Sequence, residues 1–140
     1  MRKLYTPVLI FLIIICLACM NSIAGDDEKD ALQAAEEWLM LIDASDFGAS
    51  WDNAAALFKK AITKEQWEKA ILPIKSAMGD LISRKVKSVK YTDSLPGAPD
   101  GEYVVIQFSS SFTNKKSAIE TVTPMKDPDG KWRVSGYYIK

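Results

Sequence analysis

Residues 102–114 read Glu-Tyr-Val-Val-Ile-Gln-Phe-Ser-Ser-Ser-Phe-Thr-Asn, with Val104, Ile106, Phe108, Ser110 and Phe112 on one side of an alternating pattern. A period of two over this length is the pattern of a strand with one face against a core. Working outward, residues 81–95, 117–125 and 131–139 are also rich in β-branched and aromatic residues, which predicts four strands in succession. Pro96-Gly97-Ala98-Pro99-Asp100-Gly101, Asn114-Lys115-Lys116 and Pro128-Asp129-Gly130 fall between them as turns. Strands joined by turns this short pair antiparallel.

Upstream of residue 81 the period becomes helical. From residue 31 to about 45, Leu32, Ala35, Leu39 and Ile42 share one face, widened by Trp38 and Leu41. Asp46 is placed to cap a second helix carrying Phe47, Trp51, Ala55 and Phe58. Thr63-Lys64-Glu65-Gln66 is a capping-box pattern opening a third, with Trp67, Ile71, Ile74 and Met78 on its buried face and Gly79 at its end. Pro73 should kink that helix or stop it near Leu72. Helices first and strands afterwards predict α+β: three N-terminal helices packed on a curved four-stranded antiparallel sheet.

The chain has 140 residues, with 18 Lys plus Arg balancing 18 Asp plus Glu, no His and 2 Cys. Zero formal charge argues against a nucleic-acid partner. The missing histidine removes Ser-His-Asp and Cys-His catalysis and His-ligated zinc, and no cofactor or metal motif stands in their place. Arg2-Lys3, the apolar run 8–20 and Ser22-Ile23-Ala24 read as a signal peptide over 1–24, cleaved between Ala24 and Gly25. The 13 apolar residues fall short of the roughly 20 a spanning helix needs, so no transmembrane span is expected in the mature protein. Cys19, with Ala18 before it, is a candidate lipidation site, although Cys16 stands where such signals carry Leu, Val or Ile. The expected address is periplasmic or extracellular, with a lipid anchor through Cys19 as the alternative. Cleavage leaves a short acidic lead over 25–30 and a single domain over 31–140. That chain has no Cys, so it folds without a disulfide.

Among the carboxylates, Glu36 and Glu37 lie off the apolar stripe, Asp46 caps a helix and Asp129 forms a turn. Asp43 and Glu120 are therefore the candidates for a catalytic base. Trp38, Trp51 and Tyr138 are the candidates for lining a ligand cavity between helices and sheet. Tyr138 shares parity with Trp132 and Val134; a bulge near Gly136 would exchange it with Tyr137. Arg84, Lys85, Lys87 and Lys90 read as charges guarding an exposed sheet edge.

The segments 34–39, 50–52, 63–67, 99–108 and 131–139, the last reading Lys-Trp-Arg-Val-Ser-Gly-Tyr-Tyr-Ile, resemble the secreted bacterial family catalogued as domain of unknown function 4019. The resemblance implies a cystatin-like or nuclear-transport-factor-like cone. That architecture includes isomerases and dehydratases that often place a His in the cone, where this chain has none. The expected function is a non-enzymatic accessory domain holding a small apolar or amphipathic ligand or a protein partner. The alternatives are a homodimeric assembly module and a His-free isomerase or dehydratase.

Overall fold

The computed structural model describes the backbone of residues 14–140 and the side chains of residues 25–140. Cys19 and Ala24 lie outside the described side chains. The element order is α1 (Ile14–Asp43), α2 (Phe47–Asp52), α3 (Ala56–Ala61), α4 (Lys64–Met78), β1 (Leu81–Thr92), β2 (Tyr103–Phe112), β3 (Lys115–Lys126) and β4 (Trp132–Ile139). The strands form one open antiparallel sheet in the order β1-β2-β3-β4, so β1 and β4 are its edges. The α+β reading of the sequence is thus the architecture found.

Helix α1 lies across all four strands. It buries Ala31, Ala35, Trp38, Leu39 and Ile42 against Val104, Ile106 and Phe108 of β2, Val122 of β3 and Val134 of β4. The helix already includes the acidic lead instead of beginning after it: Asp27 reaches Lys126 at 3.3 Å and Gln33 donates to Glu37 at 3.0 Å. It stops just after Asp43. Ser45 takes a left-handed φ of 59°, the Ser45 N–H bonds the Ile42 carbonyl and the Asp46 N–H bonds that of Leu41. This double closure satisfies carbonyls that a helix end otherwise leaves open.

The expected second helix is two short ones. Asp46 caps α2 by accepting from the Ala49 N–H at 3.3 Å, but the chain leaves helical geometry at Asn53, and the Ala55 N–H bonds the Val134 carbonyl of edge strand β4 at 2.8 Å. Covering part of the sheet edge replaces one more helical turn. The Thr63–Gln66 capping box forms as expected, at 3.2 and 3.1 Å. Pro73 does not break α4, which runs unbroken to Met78. The proline and Lys69, whose carbonyl loses its partner, both face solvent, where water replaces the lost bond.

The core face of α4 also differs from expectation. Trp67 and Ile71 are buried, whereas Ile74 is 40% exposed and Lys75 takes the buried position. Gly79 ends α4 at φ +79°, and a Cβ there would lie 2.0 Å from Thr113 Oγ1, so the turn into β1 requires glycine. Among the described residues no helix is long and apolar enough to cross a membrane.

Candidate functional site

The two carboxylates singled out from the sequence, Asp43 at the end of α1 and Glu120 in the middle of β3, meet at one guanidinium. Arg84 of β1 holds Asp43 through Nη1 at 2.7 Å and Nη2 at 2.9 Å, and holds Glu120 through Nε at 2.7 Å and Nη2 at 3.2 Å. Glu120 is completely buried and takes two further donors, the Ser110 hydroxyl at 2.6 Å and the Tyr137 hydroxyl at 2.5 Å. One carboxylate therefore joins β1, β2 and β4 to its own strand, and Arg84 extends the link to α1. Lys75 adds a second cation, its Nζ 3.8 Å from Asp43 and 4.6 Å from the centre of the Phe112 ring.

Alternation explains these positions. Arg84 pairs with inward-facing Ser110, so its side chain runs under the sheet rather than along the edge with Lys85. Tyr137 turns inward because Ser135 is an extra residue on β4: Pro124 pairs with Val134, but Thr123 pairs with Gly136. The bulge exchanges the two tyrosines, leaving Tyr138 61% exposed on the opposite face.

The electrostatics are those of a closed set. Burial works against the charge of Arg84, but its bonds to Asp43 and Glu120 outweigh that and hold it above its ordinary range. Burial, helped by the Glu120 charge and hydrogen bond, pushes the Tyr137 phenol well up, so it stays a neutral donor. Two cations face two anions. Four hydrogen bonds on Glu120 fill its lone pairs and leave no site where a substrate proton would be taken, whereas Asp43, bound through one hydrogen bond on each oxygen, keeps acceptor capacity and is 22% exposed.

The aromatic candidates do not share one cavity. Trp38 is 3% exposed and packed ring on ring, 5.4 Å from Tyr137, 6.0 Å from Trp67 and 6.3 Å from Phe58 between centroids. Its indole donates to the Ser50 carbonyl at 2.8 Å, while the Trp67 indole donates to the Ser50 hydroxyl at 2.9 Å. Buried Ser50 of α2 thus satisfies both rings, a role that a lone Ser in a sequence does not announce. Trp51 is half-buried, bonds the Ile62 carbonyl at 2.9 Å and lies under Lys59.

A hollow of about 220 Å³ opens on Asp43 and Lys75 beside Gly79 and Leu81, and larger ones lie away from them. A groove of about 470 Å³ runs between α1 and β4, where Trp38, Leu41, Trp132 and Val134 supply apolar wall and Glu37, Asn53, Lys131 and Arg133 supply polar groups. Trp132 carries a buried indole N–H that has no acceptor among the described residues. A second hollow of about 360 Å³, lined by Asp30, Gln33 and Gly130, continues from it past Ala34, Glu37, Lys131 and Trp132. Among the described residues no group of three acidic or Cys side chains is gathered as a metal would need.

Comparison with the curated proteins and with the solved structures returned no match. Residues 34–137, from the middle of α1 through Tyr137, match the family described as protein of unknown function (DUF4019), and the chain belongs to that family.

Proposed function

We propose that the protein is an exported, non-enzymatic accessory domain that holds a small amphipathic ligand in the groove between α1 and β4. The observation that carries this reading is the groove itself: about 470 Å³, within the usual range for small-molecule sites, with Trp132, Trp38 and Leu41 beside Lys131, Asn53 and Glu37. Trp132, which lines the groove, also carries a buried indole N–H with no acceptor among the described residues, where native structures ordinarily supply one. A non-enzymatic role is supported over isomerase-like chemistry by Glu120, buried with its lone pairs filled by Arg84, Ser110 and Tyr137, and by Asp43, held as an ion pair by Arg84 with Lys75 beside it. Export rests on the basic start, apolar run and Ser22-Ile23-Ala24 of the N-terminus. The address is then periplasmic or extracellular.

Native mass spectrometry of the protein taken from its own envelope fraction tests the reading. A monomer with a reproducible extra mass, lost in Trp132→Leu while the fold is retained, is the expected result. A bare monomer overturns the ligand, and a bare dimer moves the role to assembly. The denatured mass reads cleavage after Ala24, and a diacylglyceryl increment on Cys19 would replace a free protein by an anchored one.

A further inference from the structure

The zero net charge of the chain conceals a segregation by face. Helix α1 packs across the inner face of the sheet, and the single carboxylate carried by the four strands, Glu120, points into that face and is buried. The outer face is built from the alternate positions. One row crosses all four strands as Ser88, Gln107, Thr121 and Tyr138, each paired with the next. Beside it run Lys85, Ser109 and Ile119, closed by the Ile119–Lys140 backbone pair. Lys85, Lys90 and Tyr138 are exposed.

This face also has a hollow. The β1–β2 loop folds over one end of it, anchored by the Tyr103 hydroxyl on the Pro99 carbonyl at 2.6 Å, and Leu95 forms a wall. The resulting groove of about 380 Å³ is lined by Ser88, Lys90, Thr92, Leu95, Val105 and Gln107. It offers a cation, an amide, two hydroxyls and two aliphatic walls, with no carboxylate among them.

We infer that the outer sheet face is a docking surface for an acidic polysaccharide, a chain of uronate-type sugars laid across the strands from the Lys90 groove to Tyr138. Charge complementarity selects an anion: Lys85 and Lys90 have no acidic neighbour on the strands of this face. Hydroxyls and an amide in a row match sugar hydroxyls, and one exposed tyrosine at the end of the row gives a sugar ring an apolar platform. Single-stranded nucleic acid is served by several stacked aromatics, and this row has one. The row spans about 14 Å at ordinary strand spacing, longer than one sugar and suited to an oligomer.

The test measures binding of the protein, purified from the cells that make it, to size-fractionated polygalacturonate by calorimetry. Neutral dextran, phosphatidylglycerol vesicles and a single-stranded oligonucleotide are measured in parallel. Polygalacturonate alone should bind, with affinity falling as salt rises. Lys85→Ala with Lys90→Ala should weaken it at least about tenfold, the scale of losing charged hydrogen bonds. Tyr138→Ala should weaken it about threefold. These are surface side chains, so unchanged thermal melting certifies the fold of each variant. Binding that survives the lysine changes, no binding at all, or tighter binding to vesicles or oligonucleotide overturns the inference. Trp132→Leu leaves this binding intact, which separates it from the ligand reading of the α1–β4 groove.

Discussion

Two arginines in this protein are each held between two carboxylates, and they are not equivalent. Arg84 joins Asp43 and Glu120, 41 and 36 residues away in sequence, with its side chain 12% exposed. Arg133 joins Asp127 and Asp129, 6 and 4 residues away, across the β3–β4 turn with its side chain 28% exposed. The chemistry is the same, but the free energy at stake differs. Around Arg84 every polar oxygen has a donor and water is largely excluded, so removing one member leaves a charge stranded. Around Arg133, Asp127 is buried, with one oxygen that has no donor among the described residues, but Asp129 is open to solvent and the partners are already neighbours in the unfolded chain, so the contact brings together little that was apart. Burial and sequence separation, rather than the count of ion pairs, decide which arginine holds the fold.

The largest effect expected from breaking this comparison is at Arg84. Arg84→Ala leaves Glu120 buried beside Asp43 without its cation, and the loss should be about 3–5 kcal/mol in urea unfolding, against about 1–2 kcal/mol for Arg133→Ala, which strands only Asp127. Arg84→Met combined with Glu120→Leu should recover a good part of that loss, since the buried unpaired charge is gone and Asp43 keeps Lys75. If the two single variants cost the same, the distinction between the arginines is wrong.

A smaller effect separates the adjacent tyrosines. Tyr137→Phe removes the phenol hydrogen bond to Glu120 and should cost about 1–2 kcal/mol, whereas Tyr138→Phe should stay within about 0.5 kcal/mol. The pair also differs in alkali. The Tyr137 phenol is held above its ordinary range by burial and by Glu120, so its contribution is complete below the unfolded phenol pKa near 10 and is lost as pH rises beyond it. Denaturant midpoints between pH 8 and 11 should fall in the parent protein and in Tyr138→Phe, and fall less steeply in Tyr137→Phe. Parallel curves for all three would show that Tyr137 ionises as freely in the fold as outside it.

The element order was legible because period and turn chemistry agree: alternation over 102–114, Gly79 and the Thr63–Gln66 box each mark one local geometry. Asp43 and Glu120 were legible by elimination, as carboxylates with no role on a solvated face, in a cap or in a turn. Arg84 was not, because within a run with Lys85, Lys87 and Lys90 its inward turn depends on which residue β2 sets opposite it. Tyr137 was legible only as one of two outcomes, since a single extra residue at Ser135 decides it. Ile74 and Lys75 stand seven and eight residues after Trp67, and both spacings return to the same helix face. Asp43 and Phe112, distant in sequence, select Lys75. Periodicity specifies a face; partners supplied by the rest of the fold choose the residue at its margin.

The smallest effect sharpens the comparison from the exposed side. The Asp129 carboxyl is lowered to about 2 by its hydrogen bonds from Arg133 and then by the Lys131 N–H. A depressed carboxylate contributes stability that is present above its unfolded value near 4 and is lost as pH falls through about 2. Because Asp129 is open to solvent, the effect should be visible in its own titration and barely in the unfolding curve. Carbonyl carbon NMR should place the Asp129 midpoint near 2, and Arg133→Gln should move it up toward the ordinary range without displacing the resonances of Tyr137. A shift that spread from the β3–β4 turn to Tyr137 would mean that the two arginines act as one network, and the local character assigned to Arg133 would be lost.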